Sequence, residues 1–410
     1  MQFSSESLLS CSKSSVACAV VLGYLCVVRS LRWRRYNAIH TKYSSKFKAG
    51  TLSPDEAQEV VQVSYLYDMP LLSEYSLAFA LFKTYGIPSI SKLLASTQEL
   101  GSKELVAKRY ADTDILISTM VSCPITGLSM GGKPGTDPRA MIAVARTNWL
   151  HSKYKISNED YLYTLGLFTF EPAVWAAKYA WRAHSPLERY ASYVYWAEVG
   201  RKMNIKDIPE TVEDFQAWCR AYEEEYMVPA QSNHDVAKHT TDELLSIVPE
   251  AFGLKSFFEG VSVSLLEDRV RTAMMQPKPP QYYGYLVSCS LGVVALINRY
   301  LLLPRRKPQA GVQVDLPKID SQSAPRLYPT RFTSKPWYKP QGQGLGYLYD
   351  RLMVLVGRHD SIPGPEYRCD GYRLQELGPL RFEKEGHEQV LRMASELQGC
   401  PIADCWKECE

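Results

Sequence analysis

The stretch SNEDYLYTLGLFTFEPAVWAAKYAWRAH, Ser157 to His184, constrains the fold of this 410-residue chain more than any other. A surface helix carries one apolar stripe; this segment is apolar around its circumference and far longer than a strand. It must be a helix surrounded by other elements. Ser157 is placed to cap it, with Glu159 and Asp160 in its first turn. The segments that could surround it also read as helices. SPDEAQEVVQVSYLYDM offers Ser53 as a cap and Pro54 at the first helical position. SEYSLAFALFKTYGIPS stops at Gly86 and Pro88. SPLERYASYVYWAEVGRKMNI and TVEDFQAWCRAYEEEYMVP each begin with Ser or Thr and place an acid two or three residues later. Alternating strand patterns are nearly absent. The expectation is an all-α fold: one large helical catalytic domain, 51–303, behind an N-terminal transmembrane helix. Residues 304–410 read as a proline-rich irregular segment and a C-terminal extension packing on that domain, with FEKEGHEQVLRMASEL as a last helical piece.

The membrane signal is SSVACAVVLGYLCVV, Ser14 to Val28, followed at once by RSLRWRR. A cleaved signal peptide carries its positive charge before the apolar run, and here four arginines come after it. The pattern therefore predicts an uncleaved anchor within residues 1–35, lumenal at its start, with everything past Arg29 in the cytosol. A second apolar run, Gly284 to Leu303, contains Asn298 and Arg299. A second span is one reading; a core helix, or one lying in the membrane surface, suits an arginine better.

Other classes are disfavoured. A net charge of +3, with no arginine-rich block among aromatic residues beyond the N-terminus, does not point to nucleic acid. Ten scattered cysteines form no disulfide framework, and a zinc site in the tail CPIADCWKEC is weakly supported. No N-x-[ST] sequon demands a lumenal domain. The loop LSMGGKPGTDPR, Leu128 to Arg139, lacks the G-K-[ST] ending of a phosphate loop, and no zincin, hydrolase-elbow or dinucleotide motif is present. His184 ends a helix, where a cationic ring would favour the dipole. His234 and His239 lie in NHDVAKH, which reads as a polar loop. Only AVARTNWLH, Ala143 to His151, sets a histidine in an apolar helix with polar company. Val144, Thr147, Asn148 and His151 share one face, and Arg146 points away from it. Such a histidine serves either as a core residue satisfied by a neighbour or as a group facing a metal or cofactor.

Six segments together resemble the fungal MpaB family: FALFKTYGIPSISKLL, KRYADTDILI, RAMIAVARTNWLHSKY, DYLYTLGLF, YMVP and GYRLQELGPLRFEKEGHE. These are ER-bound oxygenases of mycophenolic acid biosynthesis, and they share a catalytic domain with rubber oxygenase, the latex clearing protein. The likeness covers most of the chain in order. It implies a single-pass oxygenase of the endoplasmic reticulum membrane with its catalytic domain on the cytosolic face. Its substrate would be a hydrophobic small molecule, with oxygen introduced at a C=C bond of a prenyl or terpenoid group, as in secondary metabolism. The resemblance also implies haem b or another redox metal. The basic residue and threonine that border the oxygen site in haem-bearing relatives correspond to Arg146 and Thr147. His151 matches a histidine frequent in the wider family. The axial histidine of rubber oxygenase would fall within DYLYTLGLF, where this chain has Leu165 and Gly166, and leucine offers no donor. The resulting expectation gives His151 the metal or cofactor side, Thr147 a hydrogen bond to bound oxygen, and Arg146 the stabilisation of a peroxidic charge. The structural alternative for Arg146 is a buried pair with Asp112 or Asp114. The competing functional readings are a catalytically inactive membrane-tethered scaffold of the same fold and a metal-dependent hydrolase or isomerase acting on lipid.

Overall fold

The computed structural model describes residues 13–406 except 98, 100–102, 128–136, 246–247, 249–252, 317–324, 333–334, 358 and 403–405. The glycine-rich loop and most of the cysteine tail lie outside the described residues. Helices account for nearly all regular structure. They are α1 (Lys13–Ala49), α2 (Pro54–Gln62), α3 (Pro70–Thr84), α4 (Pro88–Ser96), α5 (Lys103–Ser122), α6 (Arg139–His151), α7 (Asn158–Tyr179) and α8 (Pro186–Lys202). They continue with α9 (Val212–Tyr226), α10 (Gln231–Leu244), α11 (Leu254–Ser264), α12 (Asp268–Ala273), α13 (Gln281–Tyr300), α14 (Leu345–Leu355) and α15 (His387–Gln398). Among the described residues there is no strand, only two isolated bridges in the C-terminal part, Val312 with Pro329 and Leu327 with Tyr372.

The caps sit where the side-chain chemistry requires them. Ser53 and Ser185 each form a reciprocal capping box, with Glu56 and Glu188, while Ser157 and Thr211 accept from the backbone N–H three residues on. The long apolar segment is α7, and it packs against α3, α8 and α9. Two glycines set how near its neighbours come. A Cβ on Gly166 would lie 2.2 Å from Cys219 Sγ of α9, and one on Gly200 of α8 would lie 2.5 Å from Leu165 Cδ2. NHDVAKH lies within helix α10, not in a loop. Its sequence is polar because half of the helix faces water, and polarity was mistaken for irregularity.

α1 has two halves of different character. It is the one helix among the described residues long and apolar enough to cross a membrane, and its first half is exposed at Val16, Val20, Val21 and Leu22. It does not end at the basic cluster but runs on to Ala49, where it docks on the helical body. His40 Nε2 and Ser185 Oγ lie 2.7 Å apart, and the Tyr43 hydroxyl donates to Glu59 at 2.6 Å. Below this contact sits a buried ionic knot. Arg182 donates to Asp68 and to Glu188, each at 2.7 Å, and Tyr36 of α1 covers its guanidinium at 4.7 Å. These bonds hold the Glu188 carboxyl down at about 2 despite its burial. Beside the knot, burial pushes the His184 ring down to about 4. The cationic, dipole-stabilised histidine expected there is instead neutral: α7 stops at Tyr179, His184 lies just before the start of α8, and enclosure disfavours the charged ring.

The second apolar run forms α13, in which only Val287 is buried, so it is not a core helix. Its end is tied to α1: Tyr24 donates to the Leu301 carbonyl at 2.7 Å, Arg32 to Leu302, and Arg35 to Arg305 at 2.6 Å. Arg299 reaches the Trp181 carbonyl just past the end of α7.

Beyond α13 the chain wraps back over α6 as an irregular strap. Arg139 and Arg146, seven residues apart on one face of α6, fasten it at two places. Arg139 is paired with Asp137 at 2.7 Å and donates to the Gln313 and Val314 carbonyls at 2.6 and 2.8 Å. Arg146 donates to Leu377, Phe382 and Glu385. Gly386 lets the strap lie against the Trp149 ring, where a Cβ would come within 2.1 Å.

Replacing Arg182 with Met should strip Asp68 and Glu188 of their shared cation and leave two buried carboxylates unpaired. The expected loss is about 3–5 kcal/mol of unfolding free energy in urea titrations of the detergent-solubilised protein.

Candidate active site

The middle of the helical body is hollow. A cavity of about 980 Å³ lies among α3, α4, α5, α6, α7 and α8, with α10, α11 and α13 contributing to its far wall. Its surface is mostly apolar, from Phe79, Phe82, Leu116, Phe168 and Trp196 among others. A space of that size and polarity suits a greasy small molecule with room for a flat cofactor beside it.

Thr147 and His151, one turn apart on α6, both line this cavity. The His151 ring stands 5.6 Å from Tyr161 of α7, centroid to centroid. Nδ1 is buried without a partner, and no hydrogen bond reaches either ring nitrogen from the described residues. A core histidine satisfied by a neighbour would look different. Burial, and secondarily the charge of Arg109, push the imidazole down to about 4. At neutral pH it is an uncharged ring with a nitrogen lone pair unspent, the form that binds a metal.

Thr147 is less free. Its hydroxyl donates to the Ala143 carbonyl at 2.9 Å, a common helical back-bond. In that rotamer it offers the cavity an acceptor, so the donor role expected for it requires the hydroxyl to rotate. Asn148, on the same face, donates to the Lys202 carbonyl at the end of α8 at 3.0 Å, and Val144 is core.

Arg146 is not brought to the cavity. Its side chain is fully buried, and Nε, Nη1 and Nη2 each donate to a strap carbonyl at 2.6–2.8 Å. Burial lowers its affinity for the proton to about 10, so it remains a cation at neutral pH. The carboxylates anticipated as partners are otherwise engaged. Asp112 takes Lys108 Nζ at 2.7 Å, the Tyr338 hydroxyl at 2.6 Å and the Gly378 N–H at 3.1 Å, while Asp114 accepts from Ser118.

Where rubber oxygenase would supply its axial histidine, Leu165 presents a side chain to the cavity and Gly166 is packed against Cys219. Neither of these two positions offers a donor. Two other groups on the lining stand differently from their sequence reading. Lys108 and Asp112 form a buried pair on α5, spaced i, i+4, and that spacing was the available signal. His234 also borders the cavity, with Nδ1 3.2 Å from the Met274 carbonyl. Among the described residues no three His, Cys, Asp or Glu side chains gather as a metal cluster.

The chain is similar to proteins already described. Residues 138–286, from the start of α6 into α13, match the family model described as "ER-bound oxygenase mpaB/B'/Rubber oxygenase, catalytic domain". The chain is 29% identical to the ER-bound oxygenase mpaB' of Penicillium brevicompactum, over 94% of this chain and 92% of the relative. It is 32% identical to the ER-bound oxygenase mpaB of Penicillium roqueforti, over 64% of this chain and 90% of the relative. To mpaB of Penicillium brevicompactum it is 33% identical over 55% of this chain and 60% of the relative.

Two outcomes follow. The His151 ring titrates near 4 in the folded protein against 6.5 ordinarily, so between those values the unfolded chain holds the extra proton and stability falls as the pH drops. His184 contributes in the same direction. The midpoint of thermal unfolding should therefore fall from pH 6.5 towards 4.5, and His151→Leu should flatten that dependence without abolishing it. In Arg146→Met the three strap carbonyls lose the guanidinium that ties them to α6, and limited proteolysis should cut between 373 and 386 far faster than in the parent.

Proposed function

Because this chain belongs to the ER-bound oxygenase mpaB family and is thereby an oxidoreductase, we propose that it oxygenates or cleaves a C=C bond of a prenylated or terpenoid small molecule taken into the cavity. The setting is the cytosolic face of the endoplasmic reticulum membrane, with α1 as a single-pass anchor. The observation that carries this reading is the neutral, unpartnered His151 ring beside an apolar void of about 980 Å³.

The donor set fits haem b. A metal bound by protein side chains alone needs three or four ligands in one place, whereas a porphyrin supplies four nitrogens and asks the protein for one axial donor. The His151 imidazole would hold such a group, and its unpartnered nitrogen is the feature that supports this reading. Bound there, haem would supply the oxygen-activating redox chemistry that amino-acid side chains lack.

The remaining tasks fall to the chain itself. The aromatic and aliphatic walls exclude water and hold an apolar substrate extended past His151. Thr147 presents its oxygen one turn away, and Tyr161 limits how far the imidazole ring can tilt. Arg109 lines the cavity with no hydrogen bond or ion pair from the described residues, so its guanidinium is free to take an anionic group of substrate or cofactor. Arg146 acts as a positioning residue: by holding the strap over α6 it keeps Gly378, Pro379 and Leu380 in the cavity wall.

Full-length protein purified in detergent should show a Soret band and about one iron per chain. His151→Ala should lose the band while keeping its helical circular dichroism, and added imidazole should restore it. A colourless parent protein lacking metal and oxygen uptake would favour the tethering scaffold, and an unchanged band in His151→Ala would move the ligand elsewhere.

A further inference from the structure

α13 presents a row of large apolar side chains outward, among them Tyr285, Val293, Val294 and Leu296, each more than half exposed. A 20-residue helix with such a face is not left in water. Its position says what covers it. The chain just past its end is bonded to α1 at Tyr24, Arg32 and Arg35, the level at which the apolar half of α1 gives way to its basic cluster. Arg305, Arg306 and Lys307 add three positive charges at the same level. Of these, Arg306 and Lys307 are exposed, a placement that suits lipid headgroups, and the tyrosines at both ends of α13 are the residue type that favours the headgroup boundary. The apolar surface of α13 is thus continuous with that of the candidate membrane span. On its inner side α13 packs against α11 and α7, and Leu291 lines the cavity together with Val263 and Leu266.

We propose that α13 and the adjoining α11 lie in the leaflet entered by the basic end of α1, as a second contact with the acyl region of the bilayer, and that the cavity takes its ligand from the lipid between these two helices. The entry route rests on the oxygenase reading only for the nature of the ligand; the membrane contact stands apart from it. A substrate dissolved in the membrane would then reach His151 without crossing water, past a wall made of the same two helices that touch the lipid.

The test uses full-length protein in phosphatidylcholine vesicles made with and without bromine on the acyl chains. Tryptophan is introduced at Val293→Trp, Leu296→Trp or, on exposed α9, Ala217→Trp, and the added fluorescence is measured against the parent. Loss of the added signal at 293 and 296 in brominated vesicles, with none at 217, is the expected result. Equal signals in both vesicle types at 293 and 296 overturn the membrane contact, and quenching replaced by concentration-dependent self-association assigns the face to a second copy of the chain. For the entry route, a dansyl-labelled farnesyl amine is dissolved in the vesicles and its arrival is read by energy transfer from the cavity tryptophans. The double variant V293E/L296E, still anchored through α1, should slow that transfer about tenfold or more, since each carboxylate resists immersion in hydrocarbon. Unchanged transfer overturns the route. Both readouts are independent of turnover, so an inactive or haem-free protein would sink the functional reading while leaving this one intact.

Discussion

A guanidinium removed from water with no carboxylate against it must spend its donors on carbonyl oxygens, and Arg146 finds three of them in one short piece of chain. The rest of the site follows from that constraint. Leu377, Phe382 and Glu385 belong to a stretch of the strap held locally by short 3-10 turns, and the arginine ties those turns to α6. Arg139 does the same two turns earlier for Gln313 and Val314. With one face of α6 committed to the strap, the face turned by about one residue carries Thr147 and His151 into the cavity. The strap in turn contributes Gly378, Pro379 and Leu380 to the wall and meets the Lys108–Asp112 pair through the Gly378 peptide. A cation in the middle of the fold thus shapes the site without touching what is bound there.

Electrostatics on the two faces of α6 are consequently opposite in kind. On the strap side a charge is kept because hydrogen bonds replace its hydration. On the cavity side the imidazole has no such replacement, and it stays neutral. That neutrality underlies the role proposed for His151: a protonated ring could not act as a donor, and a ring hydrogen-bonded on both nitrogens would have nothing to give. The ionic knot around Arg182 plays a comparable part elsewhere in the body, where it seats the docked half of α1 through Tyr36.

Much of the fold could be read from local signals. Ser53, Ser157, Ser185 and Thr211 mark helix starts because their hydroxyls satisfy backbone donors within three residues, an interaction contained in the sequence itself. The buried character of α7 followed from its apolar circumference. The face of α6 was legible for the same reason, since Thr147 and His151 differ by one turn. What could not be read was anything decided between distant segments. Nothing near Arg146 announces that its partners lie more than 230 residues away and are main-chain oxygens, so a carboxylate partner or a catalytic task looked natural. His184 reads as the end of a helix that in fact stops at Tyr179, and enclosure beside the ionic knot decides its charge. The α10 segment looked like a loop because polarity was weighed above periodicity. Family likeness supplied the chemistry that residue patterns alone left open, and it also marked the departure at Leu165, which turns attention from α7 to the opposite wall.

The central claim is that the imidazole of His151 is the group that holds the redox cofactor in the cavity. An experimental density map of the purified full-length protein, at a resolution that separates side chains, tests it most directly. The expected map shows a flat, metal-centred density in the cavity with its metal at bonding distance from a His151 ring nitrogen. A cavity filled by side chains up to that ring, or a cofactor held by a different residue while His151 stands apart, would contradict it.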